Sequence, residues 1–176
     1  MKLFREILLI IFSASIIVSC SGSKNLATEE KVTAVVSLPC AEKGTSDAEF
    51  FRACADATSS SISLAREKAI ASAKSELGKT IIDKTIAIAN RYASELGRND
   101  KSAFLKEIEL ATNKAVDLTI NGISIICENY SESNSRYTTY MAVEIEKQTV
   151  IDKICELANK DISNFDKIAF EKIFRN

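Results

Sequence analysis

Ser61-Ile62-Ser63-Leu64-Ala65-Arg66-Glu67-Lys68-Ala69-Ile70-Ala71-Ser72-Ala73-Lys74-Ser75-Glu76-Leu77-Gly78-Lys79-Thr80-Ile81 is the stretch on which the fold turns. Ala65, Ala69, Ala73, Leu77 and Ile81 recur every four residues, the spacing of one helix face. Ile70, Ile82 and Ile86 widen that stripe, and Ile88, Tyr92 and Leu96 continue it. Arg66, Lys68, Lys74, Glu76 and Lys79 complete an amphipathic helix from residue 62 to residue 96. Alanine at three successive turns lets a neighbouring surface approach the backbone closely. Gly78 costs about 1 kcal/mol relative to Ala inside a helix, so a bend or a close contact is expected there.

Outward from this helix, Gly97 reads as its C-terminal stop and Asp100 as the next N-cap. A second helix follows over 101–118, with Phe104, Ile108, Ala111 and Ala115 inward. Thr119 to Tyr130, rich in Ile, reads as a strand, and Ser131 to Ser135 as a polar turn. Arg136 to Glu146 alternates: Tyr137, Thr139, Met141, Val143 and Ile145 on one side, Thr138, Tyr140, Ala142, Glu144 and Glu146 on the other. This strand is expected to pair antiparallel with the one before it. A third helix over 147–159 buries Val150, Ile151, Ile154 and Leu157, and helical spacing resumes through Ile162, Phe165, Ile168, Ala169 and Ile173.

On the N-terminal side, Lys31 to Leu38 is β-branched and stops at Pro39, which predicts a first strand. Residues 39–47 read as loop. Ser46-Asp47-Ala48-Glu49 matches a capping box, which predicts a short helix carrying Phe50, Phe51 and Cys54. The order β-α(α)-β-β-α(α) implies an α+β fold: a three-stranded antiparallel sheet packed on a long helix, with an extra C-terminal helix. Residues 31–176 form one such domain.

The 176 residues suit one domain rather than two. Apolar residues at 46% and charged residues at 27% argue for a folded chain and against disorder or multiple membrane spans. Net charge −1 gives a nucleic-acid partner no support. The absence of His removes every mechanism built on imidazole. No GxGxxG or GxxxxGK[ST] pattern accompanies Ser59-Ser60-Ser61, which begins a helix rather than a phosphate loop.

The first residues carry an address. Lys2 and Arg5 precede an apolar run from Ile7 to Val18, the length of a signal-peptide core and short for a membrane span. It ends in Ile17-Val18-Ser19-Cys20, which resembles the lipobox of bacterial lipoproteins. In that class the peptide, here 1–19, is cut before the Cys, and the Cys receives diacylglycerol and an N-acyl chain such as palmitate. Several acyl chains anchor a protein durably. Residues 20–30 then form the lipidated Cys and a small, polar tether. Ser21, in place of Asp, implies by the sorting rule of that class an outer-membrane destination, facing the periplasm, with surface exposure as the alternative. Loss of Lys2, Arg5 and Glu6 makes the chain one unit more negative, so the lipid on Cys20 rather than charge attaches it to the membrane. No other cofactor is expected.

Four further cysteines, Cys40, Cys54, Cys127 and Cys155, lie in a chain whose compartment permits disulfides. Cys40 and Cys54 flank a short loop and are the expected pair. Cys127 and Cys155 read either as small buried hydrophobes or as a second bond. A metal site is not expected, for want of Cys-x-x-Cys and of His.

The lipobox, the run Ser63-Leu64-Ala65-Arg66-Glu67-Lys68-Ala69 with Ala73 and Leu77, and the strands Asn121-Gly122-Ile123-Ser124-Ile125 and Tyr137-Thr138-Thr139-Tyr140-Met141-Ala142-Val143 together resemble the Lpp-twenty family of bacterial envelope lipoproteins. The resemblance covers roughly residues 30–146. It implies a small, dodecin-like α+β domain without assigned enzymatic activity. Ser133-Asn134-Ser135 departs from the acidic-Gly turn expected of that family, and the Cys40–Cys54 segment is an added feature.

Tyr130, Tyr137 and Tyr140 gather around the predicted hairpin as a candidate interaction surface, with cross-strand packing as the simpler reading. Phe165, Phe170 and Phe174 read as packing of the tail on its own domain, or else as an interface. Glu29/Glu30, Glu107/Glu109 and Glu144/Glu146 are carboxylate pairs of the kind that can run acid–base chemistry when their environments differ, but they read as solvated faces. The expectation is a non-enzymatic interaction or structural protein of the cell envelope, with an envelope protein or a second copy as partner. A surface adhesin is the alternative, and a carboxylate-based envelope hydrolase a third.

Overall fold

The structure, a computed structural model, describes residues 38–175. A 3-10 turn at Ala41–Gly44 precedes β1 (Phe50–Ser59), α1 (Ile62–Glu95) and α2 (Lys101–Thr119). After a second 3-10 turn at Ile120–Gly122 come β2 (Ser124–Ser133), β3 (Arg136–Glu146), α3 (Lys147–Asp161) and α4 (Lys167–Arg175). The three strands make one antiparallel sheet in the order β1-β3-β2. It packs on α1, giving the α+β class that the element pattern predicts. No helix among the described residues is long and apolar enough to cross a membrane.

The helix is set by its ends and its stripe. Ser61 caps it with Oγ accepting from the Leu64 N–H. At the other end Gly97 turns left-handed (φ 59), Arg98 N–H reaches Ala93 C=O, and Gly97 N–H reaches Ser94 C=O. That is the paired-bond stop which satisfies the last carbonyls of a helix. Ala65, Ala69, Ala73, Leu77, Ile81, Ala89 and Tyr92 are fully buried along one stripe. Leu96, expected to continue the stripe, lies past the last turn and is exposed. Gly78 is buried, and a Cβ there would sit 3.2 Å from Val116 of α2, so it marks a close helix–helix contact.

The first strand differs from the expectation. The predicted strand over Lys31 to Leu38 lies outside the described residues except for Leu38, which belongs to no regular element. The sheet's first strand is instead Phe50–Ser59, where a short helix was expected. The four residues that mimic a capping box build a turn into the strand. Asp47 Oδ1 accepts from the N–H groups of Glu49 and Phe50, and Ser46 Oγ accepts from Arg52 N–H. An Asp or Ser side chain serves the backbone equally well at a turn or at a helix start, so the motif does not decide between them. Phe51, Ala53, Ala55, Ala57 and Ser59 face α1, while Phe50, Arg52, Cys54, Asp56 and Thr58 face outward. The inward positions are mostly Ala, a helix former, which hides the alternation.

β2 and β3 meet through Asn134 and Ser135, both with positive φ (51 and 57). Two left-handed residues form the hairpin turn that matches strand twist, and Asn tolerates the first position. The β3 faces are the predicted ones: Thr139, Met141, Val143 and Ile145 are buried against the helices. A bulge at Ile125/Cys127 interrupts the β2 register.

The far end of the core is aromatic. Tyr92 of α1 stacks on Phe104 of α2 at 5.3 Å between ring centres and meets Phe165 and Phe170 at 5.9 and 5.4 Å. Phe170 and Phe174 continue the contact to Phe51 of β1. All three tail phenylalanines are therefore buried on their own domain.

Two changes test this packing. Ala69→Leu forces a larger side chain between α1 and the sheet and should lower stability by about 1–3 kcal/mol in urea unfolding. Ser135→Gly removes the cost of a left-handed Ser and should raise stability by about 1 kcal/mol in the same measurement.

Candidate functional site

The outward face of the sheet carries most of the chemistry-bearing residues. Cys54 of β1 and Cys127 of β2 both pair with Ala142 of the central strand, so they flank it on one line across the sheet. The 3-10 turn Ala41–Gly44 lies over β1 and β3. Leu38-Pro39-Cys40-Ala41 forms a tight turn, with Ala41 N–H bonded to Leu38 C=O and Cys40 left-handed at φ 65. Pro at the second position and positive φ at the third is a turn that normally takes Gly at the third.

Cys40 is bonded to Cys127, with Cα atoms 5.6 Å apart and a separation of 87 positions in sequence. The expected Cys40–Cys54 bond is not formed, and Cys54 is a free, exposed cysteine. The reason lies in the two ends of the 3-10 turn. Its start carries Cys40 toward β2, whereas its end, Gly44, rests on Cys54. A Cβ built on Gly44 would lie 2.7 Å from Cys54 Sγ and 3.0 Å from the Cys54 backbone N. Cys155 is the core residue that one reading of the sequence expected, with no exposed surface. Burial pushes its thiol up to about 12. Cys20 lies outside the described residues.

The three tyrosines do not form one surface. Tyr130 pairs with Thr139 and Tyr137 with Glu132, which puts both on the helix side of the sheet near the hairpin. Tyr140 pairs with Asn129 and Asp56 on the opposite face. The strict alternation of β3 separates Tyr137 from Tyr140, since residues of odd spacing point to opposite sides. Tyr130 is 63% exposed, and Ile125, nearer the other end of β2, is 41% exposed.

Beyond the cysteines, the outward face is built around Arg52. Its guanidinium donates to Glu144 at 2.8 Å and also binds Asp47. Backbone N–H groups of Phe50 and Glu49, with Arg52 beside them, hold the Asp47 carboxyl below its ordinary value. Glu144 and Glu146 line an open cleft of about 430 Å³ with Phe50, Leu118 and Thr149. Within it Glu144 is held by Arg52, and Glu146 accepts from the Thr149 hydroxyl. A neighbouring cleft of about 540 Å³ is lined by Lys84, Lys147 and Arg175 together with Glu49 and Glu146. Burial and the nearby Lys84 lower the Lys147 ammonium, which also lies over the Phe51 ring. Glu128 on the helix side of β2 is tied to Arg66 of α1 at 2.7 Å. Among the described residues no group of three or more Cys, Asp or Glu is placed to hold a metal ion.

Nothing in the sequence points to Arg52, and Cys40 pairs with Cys127 rather than the expected Cys54. Both follow from a strand where a short helix carrying Phe50, Phe51 and Cys54 is expected. As a strand, the same residues put Arg52 and Cys54 side by side on one face with Glu144 and Ala142. Comparison of the chain with known protein families, curated proteins and solved structures finds no match in any of the three.

Two expectations follow from the sulfurs. Reduction of Cys40–Cys127 opens a long loop, which in the chain-entropy account removes about 4–5 kcal/mol; urea unfolding with and without dithiothreitol measures it. Cys155 has a folded value near 12 against an ordinary 9.0, so its contribution is complete below pH 9 and is lost as pH rises from 9 toward 12. Iodoacetamide at pH 8 should therefore modify Cys54 in the native protein and spare Cys155, as read by peptide mass spectrometry.

Proposed function

We propose that the chain is a membrane-anchored bacterial lipoprotein of the Lpp-twenty kind, held in the outer membrane through lipid on Cys20. Its α+β domain has a non-enzymatic interaction or structural role in the envelope and faces the periplasm. The observation that carries this reading is the Cys40–Cys127 disulfide. Disulfides persist in oxidising compartments and are rare in reducing ones, which agrees with an export signal ending at Cys20.

The bond also suits a tethered domain. From Cys20 to Cys40 the chain can span at most roughly 65–70 Å when fully extended. At Cys40 it is covalently held to the sheet. A pull on the lipid thus reaches β2 through a covalent bond and does not unravel the turn at Ala41–Gly44. The exposed Ile125 and Tyr130 on the edge strand β2 are the apolar groups that a partner would bury.

Metabolic labelling with a palmitate analogue tests the anchor. Label on the wild-type chain and its loss in Cys20→Ala, with release of that variant from the membrane fraction, is the expected result. Equal labelling of both proteins overturns it.

A further inference from the structure

Three cysteines share the outward face of the sheet, two of them bonded and one free. Cys54 and Cys127 lie on the two edge strands, each opposite Ala142 of β3. Strand spacing puts their Cα atoms about 10 Å apart, with the small Ala142 side chain between them. Cys40 Sγ lies 3.7 Å from the Tyr140 carbonyl, so the Cys40 sulfur is poised over the central strand and not beyond its edge. A side chain at Gly44, four residues on, would run into Cys54 Sγ, so the turn lies close over Cys54. The four-residue 3-10 turn therefore spans the space between the bonded Cys127 and the free Cys54. Cys40, the residue just before the turn, holds a left-handed backbone that a non-Gly residue adopts only under constraint.

We propose that Cys40 is shared between two partners, and that Cys54 displaces Cys127 by thiol–disulfide exchange. The Cys54 thiol gives its proton to solvent, and its thiolate attacks Cys40 Sγ. The Cys40–Cys127 bond breaks as Cys40–Cys54 forms, and Cys127 leaves as a thiolate that takes up a proton. One disulfide and one thiol are present before and after, so no oxidant or reductant is consumed. The attacking species is the thiolate, and its approach to the central sulfur sets the rate. Exchange moves the crosslink from one edge strand to the other. It exposes a thiol on β2, on the same face as Asn129, in place of the one on β1.

The full chain, purified without reductant, is incubated at pH 6 or pH 8.5, treated with N-ethylmaleimide, and mapped by non-reducing peptide mass spectrometry. At pH 6 the label is expected, among Cys40, Cys54, Cys127 and Cys155, on Cys54 alone, and label on Cys20 bears only on the anchor. At pH 8.5 it is expected on both Cys54 and Cys127, with Cys40–Cys54 and Cys40–Cys127 peptides together. In Cys54→Ala, Cys127 labelling at pH 8.5 should be lost. This variant leaves the Cys40–Cys127 bond in place and removes a side chain exposed on the sheet, so it is expected to fold; its circular dichroism checks that. Absence of the Cys40–Cys54 peptide and of Cys127 label at pH 8.5 overturns the proposal. So does Cys127 labelling that persists in Cys54→Ala, because Cys127 is then released without Cys54.

Discussion

Alanine against alanine governs the geometry of this domain. Ala65, Ala69 and Ala73 of α1 face a strand whose inward residues include Ala53, Ala55 and Ala57. With so little side chain between them, helix and sheet approach closely, and each methyl is packed on several sides. Close packing of this sort gains many small dispersion contacts and tolerates no enlargement. The rest of the molecule accommodates it. Large residues come further along the helix: Leu77 and Ile81, and then the aromatic group around Tyr92.

That aromatic group ties the tail to the core. The Tyr92 hydroxyl is buried and accepts from the Asp166 N–H at 2.9 Å, so the polar atom of a fully buried ring is satisfied. Asp166 Oδ1 in turn accepts from Ala169 N–H and caps α4. One side chain in α1 therefore sets where the last helix begins, and α4 places Phe170 and Phe174 between Tyr92 and Phe51.

Much of this was legible in sequence where periodicity is strong. The 62–96 helix, its stop at Gly97, the 101–118 helix, the faces of 136–146 and the helix after it all carry repeats long enough to tell period 3.6 from period 2. The 50–59 strand was not legible. Ala at its inward positions and Ser46-Asp47-Ala48-Glu49 before it are local signals shared by helices and turns, and only pairing with β3 decides between them. The site failed with that strand. Spacing suggested Cys40 with Cys54, since a short loop joins them, but a disulfide depends on where Cα vectors meet in space. Neither the Arg52–Glu144 pair nor Cys127 beside Cys40 is encoded by any local spacing.

The bulge in β2 bears on heredity. Ile125 pairs inward with Val143, and the next paired residue, Cys127, faces outward opposite Ala142, because Ile126 is the extra residue in between. In a regular strand that kept Ile126, Cys127 would share the inward face of Ile125, out of reach of Cys40; the bulge is what brings both residues to their observed faces. Loss of the codon at position 126 would thus spare the covalent map, whereas gain of one codon between 126 and 127 without a matching bulge would leave every cysteine in the gene and shift the pairing of the strand.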